Sequence, residues 1–342
     1  MTIYPIIRAL LFKLDPERAH HLTLNLIHLA GGIQPVNWIL RRMFTAPQQP
    51  VQAFGLNFIN PIGLAAGYDK DGYGWRGLAC LGFGHIEIGT VTLEPQPGNP
   101  KPRVFRLISD KALINRMGFP GLGEEFAIKE IGKTRPKNLI LGVNIGKNKD
   151  TPIESAVEEY VQLFRSFATH VDYLTINISS PNTVGLRRLQ ERHALDNLLR
   201  KVNTERERLS SEIPNRLPIL VKLAPDLSNG ELDDALEVIL GNQMDGVIAT
   251  NTTLARDGVT SRLASESGGL SGAPLFSRSL EMVSKIYQRT GGKLPVIGVG
   301  GIFDATGVQH FLDAGATLVQ LYTGMVYEGP GLVKQILKDL RK

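Results

Sequence analysis

From about residue 60 onward, short runs of aliphatic and β-branched residues alternate with longer stretches in which apolar residues recur every three or four positions. The runs are Pro61–Ala66, His85–Thr90, Leu139–Ile145, Tyr173–Ile178, Pro218–Leu223, Gly246–Thr250, Pro295–Val299 and Thr317–Tyr322. They are continuously hydrophobic, the pattern of parallel strands covered on both faces. Between them, Ile153–Ala168 places Ala156, Tyr160, Val161, Phe164 and Phe167 at helical spacing. Leu195–Leu209, Glu231–Leu240, Ser277–Arg289, Asp304–Ala314 and Gly331–Leu340 read the same way. Eight strands interleaved with helices, and no second set of elements, predict an α/β chain with a single (β/α)8 TIM barrel over residues 46–342. A doubly wound open sheet is the alternative, and would usually need fewer repeats.

Residues 1–45 lie outside that count. Ile3, Ile6, Ile7, Leu10, Leu11 and Leu14 form one helical stripe, with Arg8 and Lys13 elsewhere. Asp15-Pro-Glu-Arg supplies an N-cap and a proline at the first helical position. A second helix carries Leu22, Leu26 and Leu29 until Gly31-Gly32 ends it, and Trp38, Ile39, Leu40, Met43 and Phe44 continue the apolar content. One reading is a helical pair packed on the barrel. The other is an interfacial amphipathic extension that meets a bilayer.

All eight runs stop at glycine or at hydrogen-bonding residues. These are Ala65-Ala-Gly-Tyr-Asp-Lys70, Gly89-Thr-Val-Thr92, Asn144-Ile-Gly-Lys147, Asn177-Ile-Ser-Ser-Pro-Asn182, Lys222, Thr250-Asn-Thr252, Gly300-Gly301 and Tyr322-Thr-Gly324. Barrel active sites assemble at the carboxyl ends of the strands. Any one of these residues alone would read as a satisfied turn group; eight together point to a site. The glycine-rich seventh and eighth ends suit a phosphate-bearing ligand.

Composition adds limits. With 42% hydrophobic residues in 342, the chain can bury a large core, and a net charge of +5 is mild. That charge fits an anionic substrate or lipid no better than it fits an ordinary solvated surface. No nucleic-acid partner is expected. The one cysteine, Cys80, excludes an internal disulfide and sits in an apolar segment, as a packed thiol would. There is no secretory signal pattern and no run of about 18 apolar residues, so an intracellular, soluble or surface-bound protein is expected.

Eight motifs, in order along nearly the whole chain, resemble the class 2 dihydroorotate dehydrogenases. They are Gly63-Leu-Ala-Ala-Gly-Tyr-Asp-Lys70, Glu87-Ile-Gly-Thr-Val-Thr92, Asn115-Arg-Met-Gly-Phe119, Asn144-Ile-Gly-Lys147, Asn177-Ile-Ser-Ser-Pro-Asn-Thr183, Ala249-Thr-Asn-Thr252, Gly268-Gly-Leu-Ser-Gly272 and Gly298-Val-Gly-Gly301. The resemblance implies FMN, oxidation of dihydroorotate to orotate in pyrimidine biosynthesis, and electron transfer to a membrane quinone. It places FMN at Ala66, Gly67, Tyr68, Asp69, Lys70, Thr90, Asn144, Asn177, Lys222, Thr250, Gly272, Gly301, Tyr322 and Thr323. It places substrate at Lys70, Asn115, Arg116, Met117, Gly118, Phe119, Asn177, Asn182, Asn251 and Thr252. The quinone head group would meet His20 and Arg106, although a lone helical histidine is more often simply solvated. No metal is implied and no obligate protein partner is evident.

The residue types suit that chemistry. Asparagine offers a donor and an acceptor on one side chain, so Asn115, Asn177, Asn182 and Asn251 can read orotate's amide-like ring edges. The more common reason for asparagine at a turn is left-handed geometry. Lys70 would face the carboxylate or the flavin, and Lys222 the flavin's pyrimidine end. By resemblance the base is Ser180, where soluble relatives carry cysteine; the plain reading is a turn cap before Pro181. Ser180 needs a relay such as Thr183 with a water. Val184 departs from the family's proline. The barrel from about Gln52 would carry every catalytic group, with residues 1–45 supplying quinone access and peripheral contact with lipid. The cytoplasmic face of a bacterial inner membrane is the expected location, because no Arg- and Ser-rich transit segment precedes the barrel. The rival function is a flavin-free (β/α)8 sugar-phosphate isomerase or lyase, which the glycine loops would serve equally well but which leaves the asparagines unexplained. A soluble relative using fumarate or NAD is the rival within the family.

Overall fold

A computed structural model describes residues 3–132, 136, 139–212 and 215–341. All eight expected strands are present: β1 (Ile62–Leu64), β2 (His85–Val91), β3 (Ile140–Ile145), β4 (Tyr173–Asn177), β5 (Ile219–Leu223), β6 (Gly246–Ala249), β7 (Val296–Val299) and β8 (Leu318–Leu321). They pair in parallel, each with its neighbours in chain order, and β8 closes on β1 to complete the barrel. The expected helices fill the outer ring, as at Ala156–Phe167 and Phe276–Thr290.

Continuous burial conceals a two-residue alternation. In β4, Leu174 and Ile176 face the helices, while Tyr173 joins Leu220, Ile248, Ile297 and Leu318 inside the barrel. The interior is therefore apolar at its base, where the hairpin Val51–Ala53 and Leu56–Phe58 inserts Phe58. Gly142 makes room for the Tyr173 ring: a Cβ there would lie 2.1 Å from it. One level up, interior positions turn polar, with Glu87, Thr175, Lys222 and Gln320 all buried.

Two features differ from the sequence reading. A second set of elements does exist: Val104–Leu107, Ala112–Asn115 and Gly269–Gly272 form a three-stranded antiparallel sheet. Two of its strands fall between β2 and β3 and the third between β6 and β7, so neither insertion disturbed the repeat count. The N-terminal region holds three helices rather than two: α1 (Tyr4–Leu11), α2 (Pro16–Gly32) and α3 (Gln34–Phe44). Asp15 caps α2 through the Glu17 and Arg18 N–H groups, as its sequence suggested. The helices are docked closely. Gly31 approaches Gly77 so tightly that a Cβ on it would sit 2.5 Å from the Gly77 nitrogen. Glu17 and Arg103 form a buried ion pair at 2.7 Å, and the Tyr4 hydroxyl donates to the Val326 carbonyl. No described helix is long and apolar enough to cross a membrane.

Candidate active site

The carboxyl ends of the strands and the three-stranded sheet enclose a polar cavity of about 140 Å³. Its wall brings together Ala66, Gly67, Lys70, Thr90, Asn115, Met117, Gly118, Phe119, Asn177, Ser180, Asn182, Lys222, Thr250, Asn251, Thr252, Gly272, Gly301, Tyr322 and Thr323. These positions span more than 250 residues of chain. Only barrel closure makes them neighbours.

Hydrogen bonds organise the polar wall. The Asn177 amide donates to Thr90 Oγ1 at 2.8 Å and to Asn144 Oδ1 at 3.0 Å, while Thr90 donates to the same Asn144 oxygen. Asn251 donates to Asn177 Oδ1 and Ser179 Oγ, and Asn182 donates to Asn115 Oδ1 at 3.2 Å. The asparagines thus fix one another's orientation. Lys70 donates to the Gly67 carbonyl, and burial lowers its pKa to about 8. Lys222 is also pushed down by burial, an effect opposed by Glu87 at 4.0 Å.

Ser180 is 5% exposed, and its Oγ accepts from the Asn182 N–H at 3.2 Å. Three residues on, the buried Thr183 hydroxyl has no partner among the described residues. An unpaired buried hydroxyl carries a cost. Val184 is 85% exposed, so its departure from proline leaves no side chain in the site. Arg187 joins the two loops behind it, donating to the Ser179 and Thr252 carbonyls and pairing with Asp226.

Four expected residues lie elsewhere. The Asp69 carboxylate accepts from the Tyr73 and Gly74 N–H groups, and burial raises its pKa to about 7. Arg116 turns outward to Glu266 and Ser267 and stacks over Phe105. Asn144 stands behind Thr90 rather than in the cavity wall. Tyr68 faces the second cavity described next. A motif run such as Tyr68-Asp-Lys70 carries side chains in different directions, so not every member can reach one ligand.

The donor set fits a flavin mononucleotide. Thr323–Glu328 begins without a side-chain cap beside Gly272, Gly300 and Gly301, leaving first-turn N–H groups for a phosphate. Gly272 adopts φ 100°, and a Cβ on it would come within 2.3 Å of the Lys111 carbonyl. Lys222 supplies a basic side chain to the same cavity. Among the described residues there is no cluster able to hold a metal.

A second cavity of about 380 Å³ adjoins the first, and Lys70, Asn115, Met117, Ser271 and Tyr322 line both. Its other walls are largely apolar and come from α1–α3, including Ile7, Leu11, Ala19, Thr23, Leu26 and Ala30. His20 and Arg106 face into it. His20 stacks edge-on against Tyr68, and burial with nearby Lys70 lowers its pKa to about 3, so it is neutral. Arg106 donates to the Phe12 and Leu14 carbonyls and lies over the Phe12 ring.

Sequence reasoning gave no role to Glu87 and Thr175 beneath the cavity, to Gln320 and Ser271 in its wall, or to Arg187 behind it. A signal existed for Glu87, Thr175 and Gln320: each is a polar residue flanked on both sides by aliphatic residues within a strand.

Comparison with known proteins agrees with this geometry. The family described as dihydroorotate dehydrogenase matches residues 49–342. A dihydroorotate dehydrogenase (quinone) of Coxiella burnetii is 46% identical over 340 residues, 99% of this chain and 96% of its own. One from Roseiflexus sp. is 47% identical over 343 residues, 100% of this chain and 94% of its own. A crystal structure of an Eimeria tenella DHODH in complex with ferulenol superposes with a TM-score of 0.84 at 36% identity, covering 95% of this chain and 90% of that one. From the barrel's closed order to these full-length matches the findings agree: the chain belongs to the dihydroorotate dehydrogenase family.

Proposed function

We propose that the chain oxidises (S)-dihydroorotate to orotate in pyrimidine biosynthesis, using FMN, and that the electrons leave through the N-terminal cavity to a membrane quinone. The observation that carries this reading is the pair of adjoining cavities, one polar and built by the barrel, the other apolar and built by α1–α3. A sugar-phosphate isomerase has no use for the second.

When bound, FMN supplies a hydride acceptor that can hand on two electrons. The asparagines and Thr252 hold the substrate ring by complementary donors and acceptors, and Lys70 faces its carboxylate. Ser180 takes the C5 proton as hydride leaves C6, giving up its own hydroxyl proton to Thr183 and a water, which carry it outward. With Ser180 at 5% exposure, bulk water has little access to the reacting atoms. His20 and Arg106 meet the quinone head at the inner end of the apolar cavity.

The exposed faces of α1–α3 supply peripheral contact with lipid. Twelve of the nineteen exposed large apolar side chains among the described residues lie between Ile3 and Met43. The bilayer face is taken to be the cytoplasmic side of a bacterial inner membrane. The experiment is anaerobic addition of dihydroorotate to purified protein. Yellow protein that bleaches, with orotate formed in equal amount, supports the reading; colourless protein that takes up no FMN refutes it.

The Lys222→Ala variant is expected to lower the flavin's reduction potential and weaken FMN retention. Losing a charge-assisted contact is worth about 1.5–3 kcal/mol, roughly a 10- to 100-fold weaker Kd. Redox titration and FMN binding to apoprotein measure the two effects. An unchanged potential would exclude the electrostatic role.

A further inference from the structure

The polar floor of the barrel converges on one carboxylate. Glu87 lies on the interior face of β2 and is fully buried. Its Oε1 accepts from the Asn144 amide at 2.9 Å. Its Oε2 accepts from Gln320 at 3.1 Å, the Tyr173 hydroxyl at 3.1 Å and the Thr175 hydroxyl at 3.2 Å. Lys222 Nζ stands 4.0 Å from Oε1. All four hydrogen-bonding neighbours donate, the complement of an acceptor-only carboxylate.

Two consequences reach the cavity, which Glu87 itself does not line. The first is orientation. Because Asn144 gives its N–H to Glu87, its oxygen is left to accept from Thr90 and Asn177, and the Asn177 oxygen in turn accepts from Asn251. The second is charge. Lys222 lines the cavity, so a ligand there meets a cation already partly offset from below. Burial pushes the Lys222 ammonium toward its neutral form, and Glu87 opposes this.

We propose that Glu87 is a positioning residue that sets the reduction potential of the bound flavin, by offsetting the charge of Lys222 and fixing the amide orientations of Asn144 and Asn177. This rests on the flavin reading above. Lys222 alone would favour the reduced, more negative flavin strongly; the buried carboxylate moderates it, so that electrons can still pass on to the quinone.

The test is redox titration of the FMN-loaded Glu87→Gln variant beside wild type, with melting temperatures recorded for both. Gln removes the negative charge at nearly constant volume. The expected result is a higher potential, by at least tenfold in the ratio of reduced to oxidised flavin, about 30 mV for a two-electron couple. A lower melting temperature with an unmoved or lowered potential would overturn the proposal. Should Glu87→Gln fail to accumulate, Lys222→Met is compared with the Glu87→Gln/Lys222→Met double variant, in which no buried charge is left unpaired. The double variant then has the higher potential, and equal potentials overturn the proposal. Wild-type protein without flavin would sink both this and the flavin reading, whereas yellow wild type with unmoved variants sinks this inference alone.

Discussion

Ser180→Ala is expected to slow flavin reduction by dihydroorotate about 10²–10⁴-fold, the usual worth of a positioned general base. That is about 3–5 kcal/mol of transition-state stabilisation. The loss should fall on the chemical step and leave binding largely intact, because the side-chain amides of Asn182 and Asn251 and the Lys70 ammonium are held by contacts that do not include Ser180, whose Oγ accepts from the Asn182 backbone N–H. Stopped-flow reduction at saturating dihydroorotate isolates that step. Ser180→Cys should recover much of the rate, since a thiol deprotonates more readily than a hydroxyl. A rate for Ser180→Ala within a few fold of wild type would leave Ser180 as a turn residue before Pro181.

A chain beginning near Gln48 is expected to lose liposome binding and reduction of long-tailed quinone, while still turning over dihydroorotate with a small soluble electron acceptor. Ile3, Ile6, Ile7, Leu10 and Leu14 are each 42% exposed or more. Burying an aliphatic side chain fully is worth roughly 1.5–3 kcal/mol, so half burial of five gives about 4–7 kcal/mol toward lipid. This supports reversible surface binding. The truncation also removes Glu17 from Arg103, which keeps its donations to the Pro97 and Asn99 carbonyls. Full-length Ala30→Trp guards against a folding defect, because the indole would fill the apolar cavity and leave the barrel's own contacts alone. Either variant reducing long-tailed quinone with unchanged kcat/KM would make α1–α3 a packing accessory.

The barrel was legible because parallel strands covered on both faces read as unbroken apolar runs, and each ends where the chain must become polar. The antiparallel sheet was not. Val104–Leu107 and Ala112–Asn115 are four-residue strands, and their partner Gly269–Gly272 lies more than 150 residues away, so no local period marks the pairing. The helix α3 was visible only as apolar content because Pro35 and the preceding glycines obscure its start. Strand-end reasoning found Lys222, Thr250 and Tyr322 but passed over Gln320, which lines the cavity from within a strand, and Glu87 beneath it, because a polar residue within a strand is easily taken for core. The strand ends also took in Asn144, Asn177, Ser180, Asn182 and Asn251; the resemblance added Asn115 and the base role expected of Ser180. It also carried in Asp69 and Arg116, whose carboxylate and guanidinium the structure assigns to the Tyr73–Gly74 turn and to Glu266.

The central claim is that the barrel's polar cavity oxidises dihydroorotate and the helical cavity beside it delivers the electrons to a quinone. Steady-state turnover with dihydroorotate and one acceptor at a time, a short-chain quinone, fumarate or NAD, tests it most directly. Orotate should form at a rate that depends on the quinone, with fumarate and NAD supporting little turnover. Equal or faster turnover with fumarate or NAD would contradict the account.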